Sequence, residues 1–301
     1  MTIASKLLAL RDAVENIRAA IVAKGAALPS GSPLSAYPAA VGSISGGGGG
    51  WVRPSHWPAL PEVDNRFSGL VRVPKPPNAS AAGFVVRVSL LNTVTVQIDW
   101  GDGATSTVGS GTTMHTYNWN TMTGPEDADG FKYAVVSTTS SETQQPGYSF
   151  SSVGVHGGWV DLWLPHDTVS SHTFYTTGSR SGVYRVRYSG KPNKTQESMF
   201  RDMAMLREVD LGGAQPTSLA NWFNGCELLE KITGLDTSLA TLFNLAFNNC
   251  NALRDFSWIS FAQATDMSSA FVDCYELKNI TINSPTITSL SATFNGCLSF
   301  R

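Results

Sequence analysis

Four thiols in this sequence are spaced for chemistry to be considered first. Cys226, Cys250, Cys274 and Cys297 follow one another at intervals of 24, 24 and 23 residues. Thiolates hold zinc or form disulfides, but zinc sites draw on close C-x₂-C pairs, which these intervals do not supply. Stacked chain segments could bring neighbouring Cα atoms within disulfide reach. Side chains of a ladder point the same way, however, and free cysteine is among the most buried residues, so buried thiols are the favoured reading. His56, His115, His156, His166 and His172 are scattered over turn-rich segments. His156, His166 and His172 could meet in space, though nothing in their spacing shows it. No H-E-x-x-H, phosphate-binding loop or dinucleotide fingerprint occurs, and "GSRSG" at 178–182 has the wrong spacing for a nucleophile elbow. Asp99 and Asp102 are too few for a calcium cage and read as turn residues. A glycosidase needs two facing carboxylates, and the acidic residues here are sparse and sit mostly in turns. The expectation is a protein that is not an enzyme, with no cofactor, no metal and no catalytic residue.

The cysteines share a phase with other apolar residues. Phe200, Phe223, Phe247, Phe271 and Phe294 recur at steps of 23, 24, 24 and 23. Three residues after each stands Met203 or one of Cys226, Cys250, Cys274 and Cys297. Six after come Leu206, Leu229, Leu253, Leu277 and Phe300. Nine after, where the repeat extends that far, come Val209, Ile232, Phe256 and Ile280. Four before, from the second repeat on, stand Leu219, Phe243, Met267 and Leu290. A fixed period in this range marks a solenoid, whose coils bury their apolar faces only by stacking. The positions at +0, +3 and +6 suit a short helix or 3₁₀ turn, and the pair at +9 and +11 has strand period.

The motif F-x-x-C-x-x-L-x-x-I-x-I, present as "NWFNGCELLEKITGL", "LAFNNCNALRDFSWI" and "SAFVDCYELKNITIN", resembles the BspA-like leucine-rich repeat over about residues 195–301. The resemblance implies a binding scaffold of the kind found in bacterial surface proteins and phage adhesins. The third coil is bulkier, with Phe256, Trp258 and Ile259. The fifth stops at Arg301 before its strand half, which leaves a cap by a neighbour or an atypical end as alternatives.

A length of 301 residues suggests two or three domains. Apolar residues make up 42%, enough for real cores, whereas charged residues make up 15% and net charge is −2. With no Lys/Arg cluster, nucleic acid is not an expected partner. No run of 18 apolar residues exists, so membrane insertion by a helix is not expected. Arg, Asp and Glu interrupt the apolar positions between Ile3 and Ile21, so a signal peptide is not expected either.

Those N-terminal positions, Ile3, Leu7, Leu10, Val14, Ile17 and Ile21, step by 4, 3, 4, 3 and 4, an a/d heptad ended by Gly25. They predict an oligomerisation seam in a short coiled coil of identical chains, the alternative being a helix lying on its own domain. "KG…LPSGSPLSAYPAAVGSI" resembles an N-terminal segment of tailed-phage tail and baseplate proteins, with a second helix from about Ser35. That resemblance makes a homotrimer the preferred state. Gly46 to Gly50 predicts a hinge. "WVRPSHWPALP" then resembles a W-x-R-P-x-D/H-W-x-x-L-P segment of phage structural proteins, with Arg53 and Trp57 matching and His56 where Asp is more usual. Its tryptophans are read as filling a hydrophobic corner.

Residues 84–140 alternate with strand period, and Asp102-Gly103 predicts a hairpin. "IDWGDG" followed by "HTY" resembles the PKD-type immunoglobulin-like β-sandwich, in which the Gly-Asp-Gly marks a hairpin and His-x-Tyr begins a later strand. Residues 146–190 continue in β-like segments, with Trp159 and Trp163 suggesting burial on both faces. Arg180, Arg185 and Arg187 near Tyr184 and Tyr188 would suit sugars or anions, but an ordinary strand face is favoured.

The fold class expected is multidomain and mainly β: an N-terminal coiled-coil helix, an Ig/PKD-like sandwich and a C-terminal leucine-rich-repeat solenoid. The domains are an anchor at 1–45, a hinge at 46–50, a β-rich region at 51–190 and the solenoid at 191–301. The resemblances imply a phage virion protein, of the tail-fibre, tail-tip or baseplate kind. It would be fastened to other virion proteins by its N-terminal segment and would bind a host-surface glycan or protein. A purely structural head or neck fibre and a glycan depolymerase are the alternatives.

Overall fold

The computed structural model describes residues 51–76, 83–153, 158–168, 172, 174, 182–192, 197–278 and 280–299. Among them the chain forms eleven strands and no helix. The expected fold class is corrected on this point. The described fold is wholly β and turn, and a coiled-coil helix is no part of it. The seam positions Ile3, Leu7, Leu10, Val14, Ile17 and Ile21, the second helix and the glycine hinge lie outside the described residues.

The strands are β1 (Ser68–Pro74), β2 (Phe84–Leu90), β3 (Val96–Asp99), β4 (Thr105–Val108), β5 (Gly111–Tyr117), β6 (Phe131–Thr139), β7 (Tyr148–Val153), β8 (Gly158–Leu164), β9 (Arg185–Tyr188), β10 (Glu208–Ala214) and β11 (Lys231–Leu235). Eight of them make one sheet in the order β11-β10-β9-β8-β1-β6-β3-β4, and three make a second, β5-β2-β7. In the larger sheet β4, β3, β6, β1 and β8 pair antiparallel, while β8, β9, β10 and β11 pair parallel. The change from antiparallel to parallel at β8 is where the sandwich becomes a solenoid, so the sheet crosses the boundary expected between residues 190 and 191. From Arg53 onward the chain is one compact unit.

Alternation places the side chains. Val86, Val88 and Leu90 of β2 and Ala134 and Val136 of β6 face the interior, with Arg87 outward. Phe67, Phe150 and Trp159 close the space between the sheets, with ring centroids 5.2–5.7 Å apart. The Gly-Asp-Gly turn joins β3 to β4 as expected, with the Asp99 and Asp102 carboxylates accepting the N–H of Gly101 and Ala104. His115 and Tyr117 close β5 instead of beginning a strand. His115 stacks on Trp100 and bonds to Asp102 at 2.7 Å, and the Tyr117 hydroxyl donates to the Trp100 carbonyl.

Every residue of β1 from Ser68 to Val71 is buried, outward-facing Leu70 included. The cause is a strap of residues 53–66 lying over the outer face. Asp161 of β8, wholly buried, accepts Arg53 Nε at 2.7 Å and Arg185 Nε and Nη2 at 2.9 and 2.6 Å. Arg53 also donates to the carbonyls of Trp57 and Pro58, Arg187 pairs with Glu62 at 2.6 Å, and Trp163 Nε1 donates to the Val63 carbonyl. These three bonds leave the buried carboxyl group of Asp161 well partnered, and removing one arginine would leave it under-satisfied. Trp57 and Leu60 are the strap's own buried side chains, and Trp57 takes the corner-filling role expected of that segment. Arg185 and Arg187 hold the strap, which supports their reading as ordinary strand-face residues.

Candidate functional site: the repeat body

The repeat positions form a solid column. Phe200, Phe223, Phe247, Phe271 and Phe294 stack ring on ring, with centroids 5.3, 5.6, 5.5 and 5.7 Å apart and planes within 13° of parallel. The first four are fully buried, as are Leu206, Leu229, Leu253 and Leu277, and Phe294 is partly buried. The column begins earlier than the sequence period indicates. Phe174 stacks on Phe200 at 5.2 Å, and Phe150 of β7 on Phe174 at 6.0 Å. Seven rings thus run from the smaller sheet to the last coil. The step from Phe174 to Phe200 is 26 residues, outside the period of the later coils, and that phase slip hid the earlier turn of the spine.

Cys226, Cys250 and Cys274 are buried and Cys297 partly so, all four as free thiols. Each Sγ lies 3.0–3.2 Å from the carbonyl of the phenylalanine one coil back: Cys226 on Phe200, Cys250 on Phe223, Cys274 on Phe247 and Cys297 on Phe271. The thiol is therefore a second donor to a carbonyl that already accepts the backbone N–H three residues after the phenylalanine. Burial pushes every one of these thiols above its ordinary range, so none is a ready nucleophile.

The turn half of each coil is not a helix. Successive i→i+3 hydrogen bonds, such as Cys226 N to Phe223 O and Leu229 N to Cys226 O, bring +0, +3 and +6 inward as expected. Two positions in each coil break any helix by adopting positive φ. Two before the phenylalanine these are Ser198, Asn221, Leu245, Ser269 and Ala292, and two after it Asp202, Gly225, Asn249, Asp273 and Gly296. This backbone turns N–H groups toward the next coil: Leu219, Asn221, Phe223 and Gly225 donate to the carbonyls of Leu242, Asn244, Ala246 and Asn248. Asp/Asn/Gly at the second set is legible in the sequence, because those residues tolerate left-handed backbone. At Gly225 a methyl group would also lie 2.8 Å from Asp202 Oδ1 of the preceding coil.

The remaining histidines take separate places. His166 bonds through Nδ1 to Ser189 Oγ at 2.9 Å, and His156 lies outside the described residues. His172, fully buried, accepts the Tyr148 N–H at Nδ1 and donates from Nε2 to the Pro165 carbonyl, both at 3.1 Å. Burial pushes its pKa down to about 4. Among the described residues no three His, Cys, Asp or Glu side chains converge as a metal site.

These observations define a parallel-coil solenoid whose sheet is continuous with a β-sandwich. Residues 167–301 match the BspA type leucine-rich repeat region, in six copies. The repeats are therefore of that type, and the sixth copy agrees with the additional ring at Phe174. No curated protein and no solved structure matches the chain.

Proposed function

We propose that this protein is a non-catalytic binding module, an adhesin, whose repeat body presents a rigid surface to a bacterial cell envelope. The observation that carries the reading is the spine of stacked rings. It fixes the coils so that outward residues of successive coils form straight rows, while the thiols, carbonyls and inter-coil N–H groups are consumed internally. Such a body offers preorganised contact area and lowers the ordering cost of binding.

The setting we propose is a tailed-phage virion, at a tail fibre, tail tip or baseplate. What supports it is the order of sequence segments: the K-G segment, the glycine run and the Trp-Arg-Pro strap resemble parts of such proteins. The chain then fastens through residues 1–45 and projects its β-rich remainder, and several copies raise avidity by effective concentration.

Fluorescently labelled full-length chain, mixed with a panel of bacterial cells, should bind at least one strain saturably and release no soluble sugar. Absence of binding across the panel, or liberation of glycan fragments, ends the adhesin reading. Imaging of phage particles carrying a tagged chain tests the setting, which fails if the tag is absent from purified particles.

A further inference from the structure

The three-residue turns of each coil put the positions one and four after the phenylalanine on a single outward row. In the third coil these are Asn248 and Asn251, in the fourth Val272 and Tyr275, in the fifth Asn295 and Leu298. None of the six is charged. Tyr275 is 40% exposed and Leu298 80% exposed.

Backbone geometry does not account for the asparagines here. Positive φ in these coils falls two residues before and two after each phenylalanine, and Asn248, Asn251 and Asn295 are not among those positions. Asn248 Oδ1 accepts a hydrogen bond from Asn249 Nδ2 at 2.6 Å, which leaves its amide N–H groups as donors. Asn251 Oδ1 has no partner but is itself buried, so of this side chain only the amide Nδ2 is left to meet a ligand. Arg201 and Glu227 stand on the same row in the first two coils, so the uncharged stretch is confined to coils three to five. There a ring-bearing residue flanked in the neighbouring coils by amides suits a ligand that has both an apolar face and many hydroxyls.

We infer that coils three to five bind an uncharged pyranose of an envelope glycan. Tyr275 and Val272 take the C–H face of the sugar, and Asn248, Asn251 and Asn295 bond its hydroxyls. This rests on the adhesin reading above and assigns that reading a surface and a ligand class.

The test is an array of uncharged oligosaccharides ending in glucose, galactose, mannose, rhamnose, N-acetylglucosamine or N-acetylgalactosamine, with acidic glycans beside them. Full-length chain should bind at least one uncharged member. Affinity should hold between ~0.1 and ~0.5 M salt, because no ion pair is involved. Tyr275→Ala should weaken binding about tenfold or more, Asn251→Ala should weaken it as well, and Tyr275→Phe should retain most of it. The melting temperature of each variant should stay at the parental value. No binding to any uncharged glycan, preference for acidic ones, or unchanged binding by Tyr275→Ala overturns the inference. If Tyr275→Ala still binds cells as the parent does, this surface is wrong while the adhesin reading stands. If the parent binds neither cells nor array, both fall.

Discussion

At His172 burial holds the ring neutral, and the hydrogen bonds fix which nitrogen carries the proton. Nδ1 already accepts a backbone N–H and Nε2 already donates to a carbonyl, so a second ring proton has no place without breaking the first bond. The ring also lies between Tyr148 and Tyr188, at 5.7 and 5.5 Å. The folded pKa is depressed from 6.5 to about 4. The unfolded chain therefore takes up the proton first as pH falls. Stability from this group is fully present above about pH 6.5 and is lost as pH falls to about 4, by roughly 3 kcal/mol in total. Urea unfolding at pH 7, 5.5 and 4.5 should show that loss, and His172→Gln should show a smaller fall over the same range despite being weaker at pH 7. Parallel pH profiles for parent and variant would remove His172 as the cause.

One coil is the unit at the next scale, and its behaviour turns on backbone handedness. The period-three pattern at +0, +3 and +6 suggests a helix, yet positive φ on both sides of each phenylalanine caps the turn before a second helical turn forms. Leu245 and Ala292 adopt that conformation without the usual residue type, at a cost of about 1 kcal/mol or more each. The ladder to the next coil offsets it. Where the strand half ends, the coils approach more closely still. Gly212 has φ of +57°, and a methyl group there would stand 2.3 Å from the Gly190 carbonyl oxygen. Gly213, at φ +96°, has open space around it. Gly212→Ala should therefore cost more than about 2 kcal/mol, and Gly213→Ala about 1 kcal/mol, read from denaturant midpoints. Equal losses would mean that handedness alone, not the close approach, decides the position.

For the molecule as a whole, the eight-stranded sheet and the ring spine tie sandwich and solenoid into one folding unit. β9 is bonded to β8 on one side and to β10 on the other, so a cut at residue 190 strips a buried parallel edge from each piece. Fragments 51–190 and 191–301 made apart should each fail to unfold cooperatively, whereas the intact chain should give a single transition for residues 53–301. Two independent cooperative transitions from the fragments would restore the picture of separate domains.

Sequence periodicity by itself determined the solenoid, the in-phase cysteines and the residues of its column from Phe200 to Phe294. A stacked coil must return the same apolar side chain to the same place, and that leaves a trace in a single sequence. The turn at Gly-Asp-Gly and the packed Trp57 segment were legible for a similar local reason. The coiled coil drawn from Ile3 to Ile21 shows the opposite limit: a heptad pattern states that a helix would have an apolar stripe, not what covers it. Only the tertiary structure decided that the sandwich sheet runs into the repeats, that Phe150 and Phe174 extend the ring column, and that Arg53 and Arg185 meet on Asp161. Those contacts join residues up to 108 positions apart, and no local spacing records which distant strand a chain will pair with.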